Sequence, residues 1–318
     1  MDEKQKIVFF GGDDMGRPIL HYLLEKNYQV LFVTTLTKAF SPFGSSALEL
    51  AQEKNLEIIY SAKPRKDLAL LTKLKEFNAP VAILVSFNAI IPPEILNLFP
   101  LGILNLHPSL LPKYRGPDPI TPPILNGDAT TGMSLILLDE KLDHGPILEQ
   151  KEIALDKNIT HTKLRQLLAA GGETLIAQIL PEYLAGRIKP YGQNENEATF
   201  TKILTRDDGK IDWFKSAIEI ERKIRAYELW PGTYTLLNGF RVKIAQAILP
   251  HVVPDIAVPV GALILLQDRV FVATGPINEK NEATGWLEIL TAQREGKKTM
   301  TALDFYNGLA SKTSLVFH

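Results

Sequence analysis

VAILVSFNAIIPPEILNLFPLGILNLHPSLLPKYRG occupies residues 81–116 and contains two apolar runs of strand length, VAILV (81–85) and GILNL (102–106). Neither run alternates between apolar and polar residues, so both predict strands that are buried on both faces. Upstream, IVFF (7–10) and VLFVTT (30–35) have the same character. Buried strands of this kind indicate a sheet that is covered by helices.

Helical periodicity lies between and after these strands, over residues 17–25, 45–54, 66–77 and 159–184. Strands that alternate with helices are typical of an α/β domain, and we predict a Rossmann-like, mostly parallel sheet for residues 1–186. In such a sheet, ligands bind beyond the carboxyl ends of the strands. Asn105, His107 and the Gly11-Gly12 pair all stand at predicted strand ends, so this edge is where we expect a site.

The composition changes after residue 186. Residues 187–205 are polar, contain Gly and Pro and show no periodicity over most of their length, so we predict a linker. Residues 206–318 begin with one helical segment at 214–228 and continue as short alternating runs between turn residues. That pattern favours a small β-barrel or sandwich, and we predict an OB-like β-barrel as the second domain.

Composition excludes several classes of function. The 318 residues include 35 Lys and Arg and 36 Asp and Glu, which excludes nucleic-acid binding by bulk positive charge. The absence of cysteine excludes disulfides, a thiolate nucleophile and Cys-ligated zinc. The first residues lack the apolar core of a signal peptide, and the apolar stretch at 81–96 is interrupted by Ser86, Asn88 and two prolines. We therefore expect a soluble, cytoplasmic protein.

Asn105 and His107 are the candidate catalytic pair. Residues i and i+2 of a strand point to the same face, so both side chains can reach one ligand at the sheet edge. An Asn amide can donate to an oxyanion, a His can move a proton near neutral pH, and a carboxylate such as Asp143 can orient the His. These groups suit acyl transfer to an amine of the substrate. An alternative stays open, in which Asn105 and His107 are caps of the strand and Asp143 is a turn residue.

GGDDMG at 11–16 also follows a predicted strand. It lacks GxGxxG spacing and places Asp13 and Asp14 where a pyrophosphate would be repelled, so a dinucleotide site is disfavoured. We predict a tight strand-to-helix turn that uses the freedom of glycine, with Asp capping the helix.

NLHPSLLPKYRG (105–116) together with LDHGPIL (142–148) resembles the active-site signature of the folate-dependent formyltransferases, which is a long and rigid pattern. The chain is similar over essentially its whole length to the branch of this family that acts on methionyl-tRNA. IDWFKSAIEIERKIRAYELWPGTYT (211–235) and the tail REGKKTMTALDFYNGL (294–309) carry the resemblance through the second domain. Glycinamide-type members of the family end before that tail.

The resemblance implies transfer of a formyl group from 10-formyltetrahydrofolate to the α-amine of methionine on initiator tRNA. That reaction belongs to one-carbon metabolism and to translation initiation in protein biosynthesis. The resemblance also implies that Asn105 polarises the formyl oxygen and stabilises the tetrahedral intermediate. His107 and Asp143 would assist proton movement and charge placement.

A folate-contacting loop is implied as well, formed by Ser109, Leu110, Leu111 and Pro112. Arg115 and Gly116 close this loop. The pterin would lie beside residues 83–92, where backbone groups and apolar walls can hold it.

Two segments depart from the pattern of the family. The loop TTLTKAFSPFGSS (34–46) is shorter than usual and has Lys38 as its single charge, so it can neutralise few phosphates of a tRNA. Pro122 and Pro123 stand where a helix is expected, and the pair predicts a later start of that helix.

The second domain is not strongly basic. Local clusters are candidate phosphate contacts, namely Arg222, Lys223 and Arg225 in the helical segment and Arg294, Lys297 and Lys298 near the tail. Solvated faces are the alternative for each cluster. Trp213 and Trp230 are expected to pack the domain rather than to stack on bases.

Two other functions stay open. The first is an N-formyltransferase that acts on an amino sugar nucleotide, which the short, nearly uncharged 34–46 loop favours. The second is a non-catalytic module that binds folate or RNA, which the presence of Asn105, His107 and Asp143 argues against. No metal constellation stands out among the six histidines, so no metal is predicted, and we expect a monomer.

Overall fold

The structure, a computed structural model, describes residues 4–35, 43–280, 282–309 and 315–318. The chain forms two compact units. The first consists of Met1–Ile120, Ala129–Asp156 and Lys163–Lys202. The second consists of Thr121–Asp128, Lys157–Thr162 and Ile203–His318.

A seven-stranded sheet forms the centre of the first unit. Its strands are β1 (Lys6–Phe10), β2 (Gln29–Thr34), β3 (Glu57–Tyr60), β4 (Val81–Val85), β5 (Ile103–His107), β6 (Thr130–Leu137) and β7 (Ile147–Ala154). They lie in the order β3-β2-β1-β4-β5-β6-β7, parallel from β3 to β5 and antiparallel from β5 to β7. The strands β4 and β5 are buried along their full lengths. This burial explains why their sequences are continuous apolar runs.

The α-helices of the described residues are α1 (Gly16–Glu25), α2 (Ser46–Glu53), α3 (Leu68–Phe77), α4 (Pro93–Leu96), α5 (Thr121–Asn126), α6 (His161–Leu184), α7 (Ala217–Ala226) and α8 (Ala302–Asn307). On one face of the seven-stranded sheet, Leu70 of α3 and Ile95 of α4 pack with Val8 of β1. On the other face, Gly172 of α6 lies close to Leu106 of β5. The predicted α/β class with a Rossmann-like, mostly parallel sheet is confirmed.

An antiparallel sheet forms the second unit. Its strands are β8 (Thr233–Leu237), β9 (Phe240–Ile248), β10 (Leu263–Leu266), β11 (Arg269–Ile277), β12 (Ala283–Arg294) and β13 (Met300–Thr301). They lie in the order β10-β11-β12-β9-β8, and β13 pairs with β12. The predicted separate β domain at the end of the chain is confirmed.

Residues 315–318 pair with both edges of this sheet. His318 exchanges two backbone hydrogen bonds with Leu236 of β8, at 3.0 and 2.9 Å. On the opposite edge, the N–H of Leu263 in β10 donates to Leu315, and the N–H of Phe317 donates to Gly261, each at 2.9 Å. The sheet is therefore closed by this short segment, which satisfies edge groups that would otherwise be open to pairing.

The two tryptophans expected to pack the second domain do so. The ring of Trp213 is buried and stacks on Phe317, with the ring centroids 5.5 Å apart, and its Nε1–H donates to Thr235 Oγ1 at 2.9 Å. The Nε1–H of Trp230 donates to the carbonyl of Leu204 at 3.3 Å. Both indole N–H groups thus find partners inside the unit, although Trp213 is buried and Trp230 is half-buried.

The units do not follow the boundaries expected from the sequence. Residues 187–202, expected in a linker, belong to the first unit, where Tyr191 exchanges backbone hydrogen bonds with Ile147. Residues 121–128 and 157–162, expected in the first domain, belong to the second unit. A polar, aperiodic composition is shared by free linkers and by segments held through backbone hydrogen bonds, so composition alone does not separate the two.

The expected late start of the helix at Pro122 and Pro123 is wrong. Helix α5 begins at Thr121, and both prolines lie in its first turn. The first four N–H groups of a helix have no acceptor within the helix, so two missing donors at these positions cost no helical hydrogen bond.

None of the helices in the described ranges combines the length and the apolar character that crossing a membrane requires.

Candidate active site

Asn105 and His107 lie at the carboxyl end of β5. They alternate with Leu106 and share the face of Ile103, which packs in the core beneath α3 and α4. Both polar side chains are buried, at 6 % and 5 % exposure. Among the described residues, none is a hydrogen-bond partner of the Asn105 carboxamide, so its N–H groups are available to a ligand.

His107 is held between two acceptors. Its Nε2 lies 3.0 Å from the carbonyl oxygen of Tyr114, and its Nδ1 lies 3.5 Å from Oδ1 of Asp143. A carbonyl and a carboxylate can only accept, and a neutral imidazole has one N–H to give. The imidazolium form can donate on both sides, and in either form the two acceptors orient the ring beside Asn105.

Asp143 connects two loops through its carboxylate. Oδ1 faces His107, while Oδ2 accepts the backbone N–H of Gly116 at 2.7 Å. The backbone of Asp143 has φ of 47°, in the left-handed region that an Asp tolerates better than most residues. The chain is also tight at Gly145, where an added Cβ would lie 1.7 Å from the carbonyl oxygen of Leu137. This loop therefore needs support from neighbouring groups.

Gln193 supplies that support from the segment expected to be a linker. Its Nε2 donates to the carbonyl oxygens of Asp143 and Gly145, both at 2.8 Å. Its Oε1 accepts from Arg115 at 3.0 Å to Nε and 2.7 Å to Nη2. One side chain thus links the loop of Asp143 to the loop of Arg115.

Arg115 is buried to 2 % exposure and uses its remaining N–H groups on Glu195. The guanidinium forms a two-point contact with this carboxylate, at 3.0 Å from Nη1 and 2.6 Å from Nη2. These hydrogen bonds lower the pKa of Glu195. His144 lies between Glu195 and Asp139, with its Nδ1 2.6 Å from Oδ2 of Asp139 and its Nε2 3.7 Å from Oε1 of Glu195.

Residues 199–201 run beside the loop that follows β5. The carbonyl of Thr199 accepts the N–H of Arg115 at 2.9 Å, and its Oγ1 accepts the N–H of Tyr114 at 2.8 Å. Thr201 then donates its N–H to the carbonyl of Arg115 at 2.8 Å. The carbonyl of Tyr114 that receives His107 is therefore fixed by this segment.

The sequence matches two protein families, one for each part of the chain. The family described as formyl transferase matches residues 5–180, and the family described as formyl transferase, C-terminal domain, matches residues 203–310. The chain belongs to the formyl transferase family.

The methionyl-tRNA formyltransferase of Roseiflexus sp. (strain RS-1) is 36% identical to this formyl transferase over 316 residues, covering 96% of this chain and 92% of the relative. The methionyl-tRNA formyltransferase of Roseiflexus castenholzii is 34% identical over 310 residues, covering 96% of each chain. A crystal structure of WlaRD, a sugar 3N-formyl transferase in the presence of dTDP and 5-N-formyl-THF, has a TM-score of 0.67 and 21% identity and covers 93% of this chain and 100% of that one. That last likeness shows the shared fold.

The loop expected to contact folate in this formyl transferase is fixed by internal hydrogen bonds. Ser109 is fully buried, and its hydroxyl donates to the carbonyl of Lys113 at 2.6 Å. The N–H of Leu111 donates to Ser134 Oγ at 3.0 Å, and the carbonyl of Leu111 accepts from Gln150 at 2.9 Å. Polar groups of Ser109 and Leu111 are thus used within the protein. A folate contact by this loop would come from its remaining surface.

The glycine turn after β1 holds an ion pair. Asp13 Oδ2 lies 2.8 Å from Arg165 Nη2, and Asp13 Oδ1 accepts the N–H of Met15 at 3.0 Å. Burial raises the pKa of Asp13, although Arg165 acts in the opposite direction. The carboxylate of Asp13 is thus used by Arg165 and by the backbone of the turn itself. This arrangement agrees with a strand-to-helix turn and not with a loop that binds a nucleotide phosphate.

The 34–46 loop lies mostly outside the described residues, including Lys38 and residues 36–42. At its described end, the ring of Phe43 packs against the guanidinium of Arg165, which lies 4.7 Å from the ring centroid.

The cations of α7 are used inside the second unit. Arg222 donates to the carbonyl of Asn126 at 3.1 Å, and Lys223 donates to the carbonyl of Lys210. Arg225 pairs with Glu221. Interactions of this kind fix side chains in the unit, so this cluster is a weaker candidate for phosphate contacts than the sequence suggested.

Within the described ranges, no three His, Cys, Asp or Glu side chains come together in a way that could hold a metal ion.

Sequence reasoning did not find Gln193, Glu195 or Thr199. These residues lie in a stretch without periodicity, and none of them forms a recognisable motif in the sequence. Arg115 gave no local signal either, because its neighbours include Lys113 and Asp118, and charged residues in such a polar stretch are usually exposed.

Replacing Gln193 by Ala should lower kcat for formyl transfer by about tenfold to a hundredfold, because the loop of Asp143 loses two donors and small misplacements of catalytic groups are costly. KM for the formyl donor should change less. Steady-state kinetics with Asn196→Ala, an exposed neighbour, as the control would measure this. A normal kcat with a lowered melting temperature would show that Gln193 only stabilises the fold.

Proposed function

We propose that this formyl transferase moves the formyl group of 10-formyltetrahydrofolate to the α-amine of methionine on initiator methionyl-tRNA. The observation that carries the proposal is the match of both domains, over nearly the full length, to relatives named methionyl-tRNA formyltransferase. The arrangement of Asn105, His107 and Asp143 supports the same chemistry, since it offers an amide donor, an imidazole and a carboxylate at one buried sheet edge.

In the proposed reaction, the neutral α-amine attacks the formyl carbon and forms a tetrahedral intermediate with an oxyanion. The N–H of Asn105 would donate to that oxygen, and His107 would assist proton movement and charge placement. Collapse of the intermediate breaks the bond between the formyl carbon and N10 of the folate. One proton leaves the attacking nitrogen and one reaches N10, so the products are the formamide and tetrahydrofolate. No nucleophilic side chain of the protein is required.

Asp143 would keep His107 oriented. Its carboxylate already accepts the N–H of Gly116, so its position is set by the loop as well as by the imidazole. Groups that are fixed before the reaction need little rearrangement when charge develops on the substrate, and this is the main source of catalysis in sites of this type.

We propose that Ser109, Leu110, Leu111 and Pro112 border the folate, with the pterin beside residues 83–92. The internal hydrogen bonds of the loop support a rigid border. A rigid and mostly apolar wall with a few polar groups is the usual form of a site for a cofactor-sized molecule.

We also propose that residues 206–318 contribute to tRNA binding. Lys297 and Lys298 follow β12 in an exposed turn, and Arg294 at the end of that strand packs over the ring of Phe240 at 4.2 Å. Because the α7 cations are used within the unit, these three are the better candidates for phosphate contacts.

A second candidate function is N-formylation of an amino sugar nucleotide. The observation that favours it is the 34–46 loop, which has a single charged residue, Lys38, and so offers little to an RNA phosphate backbone.

An acceptor competition tests the assignment directly. Purified protein with 10-formyltetrahydrofolate should formylate methionyl-tRNA and leave a dTDP-linked amino sugar unchanged, with mass spectrometry of both products as the measurement. Formylation of the sugar alone would overturn the proposal. Folate binding without formylation of either acceptor would indicate a non-catalytic module.

Replacing Asn105 by Ala should lower kcat by on the order of a hundredfold, because a donor to the oxyanion acts chiefly in the transition state. KM for either substrate should change little. Asn97→Ala, on the exposed end of α4, is the matched control for steady-state kinetics. A variant with near-normal kcat would reduce Asn105 to a cap of the strand.

Exchanging Lys297 and Lys298 for Glu should raise KM for methionyl-tRNA about tenfold and leave KM for the formyl donor unchanged, since each phosphate contact adds a salt-dependent term to RNA binding. The effect should shrink as salt is raised. Lys280→Glu, in the turn at the opposite end of β12, is the control. An equal rise of KM in the control would mean that overall charge, not this turn, binds the tRNA.

A further inference from the structure

The loop between β6 and β7 carries Asp143 and is irregular over residues 138–146. Backbone hydrogen bonds fix both of its ends. The N–H of Leu138 donates to the carbonyl of Ile103 in β5 at 2.8 Å, and the carbonyl of Pro146 accepts from the end of β6 at 2.9 Å. Between these two points, the position of the Asp143 carboxylate depends on what holds the rest of the loop.

His144, the residue after Asp143, faces two carboxylates with its ring. Its Nδ1 lies 2.6 Å from Oδ2 of Asp139, and its Nε2 lies 3.7 Å from Oε1 of Glu195. Because a carboxylate can only accept, Nδ1 carries the proton and donates to Asp139. A hydrogen bond of this length to a carboxylate is among the stronger ones in proteins. The imidazole therefore ties residue 144 to the beginning of its own loop.

Both carboxylates have a further contact. Oδ1 of Asp139 accepts the N–H of Lys141 at 2.9 Å, within the same loop. Glu195 forms the two-point contact with the buried guanidinium of Arg115. The ring of His144 thus lies between a carboxylate of its own loop and a carboxylate of the segment that supports this loop.

Gln193 and His144 hold different parts of the same short stretch. The carboxamide of Gln193 donates to the carbonyl oxygens of Asp143 and Gly145, the residues on either side of His144. Both of these hydrogen bonds start from one nitrogen atom, so they leave the stretch free to turn about that atom. The ring of His144 adds attachments at other points, and these restrict the turning.

This restriction matters because Asp143 has a left-handed φ of 47°, an uncommon conformation that persists only where surrounding contacts hold it. A small rotation at residues 143–144 would move the carboxylate away from His107 and from the N–H of Gly116 together. Misplacing a catalytic group by about 1 Å can cost on the order of a hundredfold in rate.

We propose that His144 is a positioning residue for formyl transfer, which holds the Asp143 carboxylate against His107 through the contacts of its ring with Asp139 and Glu195. The inference rests on the proposed function, since it takes Asp143 as the group that orients His107. His144 is assigned no contact with either substrate. Its loss should therefore lower kcat and leave KM nearly unchanged.

Replacing His144 by Ala should lower kcat for methionyl-tRNA formylation about tenfold, with KM for the formyl donor and for the tRNA unchanged within about twofold. Steady-state kinetics measure both quantities. His21→Ala is the matched control, because it removes an exposed histidine that also faces a carboxylate, that of Glu25 on α1. A normal kcat in His144→Ala, or an equal loss in the control, would overturn the inference.

Two further variants separate positioning from a general loss of stability. His144→Asn places an amide N–H about where the imidazole Nδ1 stands, so it can restore the hydrogen bond to Asp139. His144→Gln places its amide one bond farther out, towards Glu195. His144→Asn should recover most of the lost kcat, and His144→Gln should recover little of it. If His144→Asn is no faster than His144→Ala, the hydrogen bond to Asp139 does not position the loop and the inference is wrong.

Hydrogen exchange of the Gly116 amide tests the inference without any substrate. This N–H donates to Oδ2 of Asp143, so its protection reports whether the carboxylate is in place. His144→Ala should speed the exchange about tenfold, as expected when one hydrogen-bonded support is lost, and His144→Asn should restore the slow rate. NMR of the full chain measures both rates. Unchanged exchange in His144→Ala would overturn the inference.

The kinetic and exchange results also separate this inference from the proposed function. If the unaltered protein does not formylate methionyl-tRNA while the Gly116 amide still responds to His144→Ala, the proposed function is wrong and the support of the loop by His144 stands. If His144→Ala formylates methionyl-tRNA at a normal kcat, this inference alone is wrong.

Discussion

The carboxylate of Asp143 contacts both the end of β5 and the loop that follows this strand, and the geometry of the candidate site depends on these two contacts. Oδ1 faces Nδ1 of His107 at the end of β5, and Oδ2 holds the N–H of Gly116. A shift of the Asp143 backbone would therefore move the imidazole and the loop after β5 together. The left-handed φ of Asp143 is an uncommon backbone conformation that neighbouring groups must hold. The carboxamide of Gln193 does so by donating to the carbonyl oxygens of Asp143 and Gly145.

The burial of Arg115 explains why Gln193 and Glu195 form so many hydrogen bonds around the Asp143 loop. The guanidinium of Arg115 is almost fully buried. Removing the partner of a buried charge lowers the free energy of unfolding by on the order of 3–5 kcal/mol, so Arg115 needs its partners. Gln193 and Glu195 satisfy it, and the same Gln193 holds the loop of Asp143. The hydrogen bonds that satisfy this buried charge thus also position the candidate catalytic carboxylate of Asp143, so that stability and preorganisation depend on the same side chains.

The second unit uses many of its own polar groups internally. Its α7 cations interact with carbonyls and a carboxylate of the unit itself, and residues 315–318 close its sheet by pairing with both edges. Cations that are held in this way are less available to an RNA. Asn105, His107 and Asp143 of the first unit are candidate groups for attack by a substrate amine, and we propose that exposed cations of the second unit contribute to the choice of acceptor.

The sequence by itself determined the buried parallel strands and most helices, because hydrophobic periodicity is a local property. It also determined that Asn105 and His107 lie on the same face at the end of one strand, because residues i and i+2 of a strand point the same way. It also determined that a carboxylate from 142–148 belongs with them, through the motif. Only the tertiary structure decided the roles of Gln193 and Glu195, the placement of residues 121–128 in the second unit and the closure of the barrel. Gln193 lies 50 residues from Asp143 and 78 from Arg115, and hydrogen bonds over such separations depend on the paths of irregular loops, which no local pattern encodes.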